Sequence, residues 1–226
     1  MDGLNREIND FDLIINNGTL VDGTGSKSKI GNIAIKNGII AAIGNFSGKA
    51  NEVIDATNLV VTPGFVDIHT HYDGQATWDN FLSPSSWHGV TTALMGNCGV
   101  GFAPVHDHDH DRLISLMEGV EDIPETVLSE GIDFCWETFP EYLNALESSS
   151  RIMDIGTQVP HSALRFFVMG DDGANHLCKP NEEQISRMKS ILEEALCAGA
   201  LGITTSRTTK HKSADGNLVP SINADD

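Results

Sequence analysis

Basic side chains are scarce in this sequence. It has 14 Lys and Arg against 32 Asp and Glu, a formal net charge of −18 at pH 7. A surface of that sign repels phosphate backbones and anionic lipid, which argues against nucleic acid or a membrane surface as partner. Long apolar runs are missing too: none approaches the roughly 20 residues of a membrane span. The opening Met1-Asp2-Gly3-Leu4-Asn5-Arg6 has no apolar core of the kind a signal peptide needs. Cysteine is sparse, and its four positions (Cys98, Cys135, Cys178, Cys197) contain no C-x-x-C spacing. That usage predicts free thiols in a reducing, cytoplasmic setting rather than a disulfide framework. What remains is an ordinary globular composition, 40% hydrophobic and 20% charged over 226 residues, enough for one large domain or two small ones.

Residues 11–61 read as short strands punctuated by turns. Asp12–Ile15 and Thr19–Val21 flank Asn16-Asn17-Gly18, and Asn32–Lys36 and Ile39–Ile43 flank Asn37-Gly38. Asn-Gly between apolar runs predicts a hairpin, because both turn positions need positive φ. The expectation is a small β-layer over 1–61. From residue 62 to 226 the rhythm changes to strand, helix, strand. Strands are expected at Phe65–His71, Val90–Met95, Ile152–Val159 and Ala200–Thr205, with a short helical stretch opening at Ser83-Pro84. Thr138-Phe139-Pro140-Glu141 is a capping box before a helix. Glu182–Ala198 carries an apolar stripe (Ile185, Met188, Ile191, Leu192, Ala195, Leu196) and ends at Gly199. Alternation of this kind predicts a parallel sheet with right-handed crossovers. The residues with chemistry in them follow strand ends, the working edge of parallel α/β folds.

His69-Thr70-His71 closes the first of these strands. Side chains two apart on a strand share a side, so the imidazoles of His69 and His71 can hold one cation together, and neutral imidazole suits zinc and its neighbours. His-x-His occurs twice more, at His106/His108 and His108/His110, but only the first ends an apolar run. The segment His106–Asp111 reads as a solvated stretch, with a loose metal-binding tract as its alternative. Cys98 lies in Gly96-Asn97-Cys98-Gly99. Its thiolate is a good zinc ligand, and a buried inert thiol is the competing reading. Cys197 is expected in the core. His161 follows the third strand, with a pocket role and a structural hydrogen bond both open. Arg207 could meet a carboxylate or pair with one of the many acids. Asp67 could orient a ligand from beneath. Trp78 and Trp87 are expected to pack.

Val61–His71, with its Pro63-Gly64-Phe65-Val66-Asp67-Ile68-His69-Thr70-His71 core, resembles the first barrel strand of the amidohydrolase superfamily. Gly89-Val90-Thr91-Thr92 followed by Gly96-Asn97-Cys98-Gly99 is similar to the N-acyl-D-amino-acid deacylase (D-aminoacylase) family, as is Val159–Arg165. The opening Asp12–Gly23 resembles the start of the superfamily's accessory sandwich. The resemblance implies an α/β fold: the N-terminal half of a metal-dependent-hydrolase (β/α)8 TIM barrel (62–226), preceded by part of a small β-sandwich (1–61). It implies hydrolysis of N-acyl-D-amino acids, small-molecule substrates, with one or two zinc ions held by His69, His71 and Cys98. His161 would line the substrate pocket. The family's general-base aspartate and remaining ligands are expected beyond residue 226, so these residues alone are expected to be inactive and to self-associate through open barrel edges. Hydantoinase- and dihydroorotase-like enzymes usually place a lysine on the fourth strand, where this chain has Leu201-Gly202-Ile203-Thr204-Thr205. A non-catalytic scaffold of the same fold is the other alternative.

Overall fold

A computed structural model describes residues 10–224, which fall into two compact units meeting at the Gly64–Phe65 boundary. The first is a five-stranded sheet of β1 (Phe11–Leu20), β2 (Lys29–Lys36), β3 (Ile39–Ile43), β4 (Ala50–Asp55) and β5 (Val60–Val61). Its order is β3-β2-β1-β4, with β5 also on β1. The Asn37-Gly38 turn joins β2 to β3 as an antiparallel hairpin, with φ of 52° and 73°. Asn16-Asn17-Gly18 does not form the expected hairpin. β1 runs straight through it, and the register on β2 shifts between Ile15 and Gly18. Asn17 still takes φ 60°. A left-handed Asn serves a bulge as well as a turn, so the local signal was real and only its consequence differs. Gly18 is needed there, because a Cβ would lie 2.5 Å from Val61 Cγ2.

The second unit carries β6 (Phe65–Asp67), β7 (Val90–Met95), β8 (Asp154–Thr157), β9 (Val159–Pro160) and β10 (Ile203–Thr204). β6, β7 and β8 pair in parallel in that order, and β9 pairs in parallel with β10. Only Gln158 separates β8 from β9, and its N–H still bonds Met95 O at 3.1 Å. The four expected strands are therefore neighbours in chain order, each parallel to the last. The crossovers are helical: α1 (His110–Glu121), α2 (Glu125–Gly131) and α3 (Phe139–Glu147) before β8, then α4 (His161–Met169), α5 (Asp171–Ala174) and α6 (Glu182–Ala198) before β10. Ser85–His88 forms one short 3-10 turn, with Pro84 just ahead of it rather than inside it.

The core lies between these strands and α1, α3 and α4. α1 buries Leu113, Ile114, Leu116 and Met117, the i, i+3, i+4 pattern of one helix face. α3 starts at the Thr138/Glu141 capping box and buries Phe139, Tyr142 and Leu146. Burial of Phe139 and Leu146 stabilises by about 1.5–3 kcal/mol each. Arg165 of α4 is 3% exposed and donates to the carbonyls of Gly173, Asn175 and Cys178.

Several expectations need correction. The α6 stripe covers the core only in part: Ala195 is buried and Met188, Ile191 and Leu192 pack half-buried against it, but Ile185 and Leu196 are 39% and 44% exposed. Cys197, expected in the core, is exposed, and so is Trp87. The His106–Asp111 segment is not simply solvated. Asp109 is buried and pairs with Arg112 at 2.8 Å, His106 stacks on Phe167 at 4.0 Å, and His110 stacks on Phe134 at 3.9 Å. Among the described residues, no helix is long and apolar enough to cross a membrane.

Candidate metal centre

β6 stops at Asp67, and the chain beyond it is irregular, so His69 and His71 stand past the strand end. The segment is fixed by its backbone. Asp67 Oδ1 accepts from His69 N–H at 3.1 Å, so Asp67 holds the backbone of His69 rather than its ring. Thr70 bonds Leu94 O through both N–H (2.9 Å) and Oγ1 (2.8 Å). The two imidazole centroids are 5.5 Å apart.

Cys98 sits on the turn that ends β7. Its own φ/ψ is 55°/10°, left-handed, and flanking Gly96 and Gly99 have φ of 78° and 72°. A Cβ on Gly96 would lie 2.1 Å from Gln158 O, so only glycine fits. Buried Asn97 pins the turn, donating to Thr70 O and Leu94 O at 3.2 and 3.0 Å while accepting from Gln158 Nε2 at 3.2 Å. Thr204 of β10 donates to Gly96 O and accepts from Gly99 N–H. Three strand ends thus hold one sulfur in place.

The structure brings His69, His71 and Cys98 together. Their ligand atoms lie within 4.8 Å of one another, and His69 Nε2 is 3.3 Å from Cys98 Sγ. Two residues unmarked by any motif join them. Glu121, the last residue of α1, has Oε1 3.1 Å from His71 Nε2. His211, from the segment after β10, groups with Cys98 and Glu121 within the same 4.8 Å limit. The sequence reading singled out neither Glu121 nor His211. A glutamate ending a helix and a histidine in a turn-rich loop carry no spacing signal, so only the fold could pair them.

The electrostatics suit a cation. Both His71 ring nitrogens are buried without a hydrogen-bond partner, since Glu121 approaches Nε2 without hydrogen-bond alignment. Burial, then the charges of His69 and His211, push the His71 imidazole down to about 4, so it is neutral at pH 7 with lone pairs available. Burial, then Glu121 and Asp73, push the Cys98 thiol up to about 11. Burial also raises Glu121 and lowers His211. Asp73, two past His71, is 2% exposed, and burial pushes its carboxyl up to about 7. Orphaned imidazole nitrogens beside a thiol and a carboxylate are a donor set for a zinc-class divalent cation.

His161 belongs to neither group of donors. It opens α4, shares a hydrogen bond with Thr205 Oγ1 at 2.9 Å, and is pushed down to about 4 by burial, then by Arg165 and Arg207. It lines a cleft of about 590 Å³ with Arg165, Cys178 and Met188.

Comparison with known proteins adds the family. Residues 52–224 match the amidohydrolase family. The D-aminoacylase of Alcaligenes xylosoxydans xylosoxydans is 35% identical over 196 residues, 86% of this chain and 37% of that protein. A D-aminoacylase structure, described for a binuclear metal centre with one-metal activation and second-metal attenuation, superposes with TM-score 0.73 at 32% identity, over 91% of this chain and 41% of that one. The N-acyl-D-glutamate deacylase of Bordetella bronchiseptica, solved with zinc and a phosphonate mimic of the tetrahedral intermediate, gives TM-score 0.67 at 29% identity, over 86% and 38%. The chain thus spans little more than a third of the length of these relatives, and its four parallel strands are part of the barrel they share. It belongs to the amidohydrolase family.

Proposed function

We propose that this chain carries the metal-binding part of a zinc-dependent amide hydrolase acting on N-acyl-D-amino acids, yielding a carboxylate and a D-amino acid. The observation that carries the reading is the convergence of His69, His71 and Cys98 within 4.8 Å, with both His71 ring nitrogens buried and unsatisfied. These residues would hold one or two zinc ions. When bound, zinc polarises an amide carbonyl and lowers the pKa of a water to about 7. The chain's own contribution is to hold the donors rigid: Asn97 and Thr204 fix the Cys98 turn, and Asp67 and Thr70 fix the histidine segment. The half-buried thiol gives up its proton on binding, so affinity rises with pH. His161 faces the cleft beside Arg165 and would contact substrate.

The 226 residues alone are expected to bind zinc without turnover, because nothing in them matches the family's general-base aspartate. Exposed Phe65, Val66, Ile68, Leu201 and Ile203 around the parallel strands support self-association. The test is zinc content by mass spectrometry on the purified chain, then a panel of N-acyl-D- and N-acyl-L-amino acids on the chain and on a version extended to the relatives' length. Zinc in both, with D-selective turnover in the extended protein, supports the proposal. No zinc in either, or L-selective turnover, refutes it.

A further inference from the structure

We propose that Glu121 and His211 are cation ligands: with Cys98 they form a second triad for a zinc-class divalent cation, sharing the sulfur with His69 and His71. The proposal rests on the metal-site reading above and extends its ligand set. Cys98 Sγ, a Glu121 oxygen and a His211 nitrogen lie within 4.8 Å of one another. Glu121 Oε1 also stands 3.1 Å from His71 Nε2, so the two triads make one continuous site of five donors. His71 Nε2 and Glu121 Oε1 at 3.1 Å, and His69 Nε2 and Cys98 Sγ at 3.3 Å, are close enough for each pair to share an ion whose nitrogen and oxygen ligands are about 2.0–2.2 Å away.

Three features beyond the cluster point the same way. First, the helix end that carries Glu121 disfavours its charge. Glu121 ends α1 beside Glu118 and Asp122, with no basic residue in the last turn. A carboxylate at the negative end of a helix is unfavourable, and a divalent ion reverses the sign. Second, His211 is oriented as a ligand is. Its Nδ1 is 2.8 Å from Ser206 Oγ, which leaves Nε2 as the nitrogen available for an ion. Ser206 is itself buried, and Ser221 Oγ donates to its carbonyl at 2.8 Å. Third, the loop bearing His211 is seated on α1. Ala214 N–H bonds Ser115 O at 3.0 Å, and a Cβ on Gly119 would lie 2.2 Å from Ser213 C and 2.4 Å from Lys212 O. Gly119 lets the loop lie directly on the helix turn that presents Glu121. A closure this tight, bringing one histidine to one glutamate and one thiol, is what a shared ion requires.

The experiment titrates zinc against a chromophoric chelator competitor on the full 226-residue chain, stripped of metal. Glu121→Gln and His211→Gln each lower affinity at least about tenfold, the loss caused even by removing an outer partner of a ligand. Glu118→Gln, one turn earlier on α1 and outside the cluster, leaves it unchanged. Zinc also shifts the ring-nitrogen NMR signals of His211 in the unsubstituted chain, a readout that needs no variant to fold. Unchanged affinity in both variants, or unmoved His211 signals in zinc-loaded protein, overturns the proposal. His69→Gln separates the two readings. If it leaves affinity unchanged while Glu121→Gln and His211→Gln lower it, the first triad fails and this one stands. The converse overturns this one alone.

Discussion

The backbone at Cys98 offers a test of how this site is made. Its φ of 55° and ψ of 10° put an L residue in the left-handed region, which costs about 1–2 kcal/mol. Cys98→Gly removes that strain and the thiol. Cys98→Ala removes only the thiol and keeps the strain. Glycine gives back about 0.5–1 kcal/mol through its looser unfolded chain, so the net advantage of Cys98→Gly over Cys98→Ala is about 0.5–1 kcal/mol. The assay is urea unfolding followed by far-UV circular dichroism, with chelator present and the slopes compared for two-state behaviour. Zinc is then added to all three proteins. At about 100 times its dissociation constant it stabilises the unsubstituted chain by about 2.7 kcal/mol. Both variants gain far less, because the sulfur is gone. The strain is thus smaller than the binding energy it makes possible, and the unsubstituted protein overtakes the glycine variant only when metal is present. Cys98→Ala equal to or more stable than Cys98→Gly under chelator would refute the reasoning, as would equal zinc stabilisation in all three.

Other outcomes follow from the same structure. His161 is neutral in the folded chain down to about pH 4, against an ordinary value of 6.5. Between those values the unfolded chain binds the extra proton, so this residue's contribution is intact above pH 6.5 and lost as pH falls toward 4, by up to about 3 kcal/mol. His161→Gln removes its share of that part of the stability–pH curve, measured by urea midpoints across the window, while His71, also pushed down to about 4, keeps its own. Arg165→Met strands the carbonyls of Gly173, Asn175 and Cys178 and costs about 3 kcal/mol by the same unfolding assay. Gly119→Ala forces the loop from His211 to Ala214 off α1; it costs about 1–3 kcal/mol and lowers zinc affinity in the chelator competition, as His211→Gln does.

Much of this fold is legible in the amino-acid sequence. Val90–Met95 is the strand its β-branched run announces, and α3 begins at the capping box that Thr138 and Glu141 spell out. His69, His71 and Cys98 each sit in short runs with local signatures, so their proximity could be argued from strand ends alone. Where reading failed, the competing physics was tertiary. Asn16-Asn17-Gly18 has turn chemistry, yet pairing with β2, β4 and β5 keeps β1 running through it. The α6 stripe has helical periodicity and its centre packs on the core, but Ile185 and Leu196 stay exposed. His106–Asp111 is charged, and its rings and Asp109 are nevertheless drawn inward by Phe167, Phe134 and Arg112. Glu121 and His211 reach the site from a helix end and a distant loop, a meeting that no one-dimensional pattern encodes.

The central claim is that one cation is shared by imidazole and sulfur at this strand edge. X-ray absorption at the zinc edge of the loaded chain tests it most directly. The account predicts a sulfur scatterer at about 2.3 Å beside nitrogen and oxygen at about 2.0–2.2 Å. A shell of nitrogen and oxygen alone, with no sulfur, would contradict it.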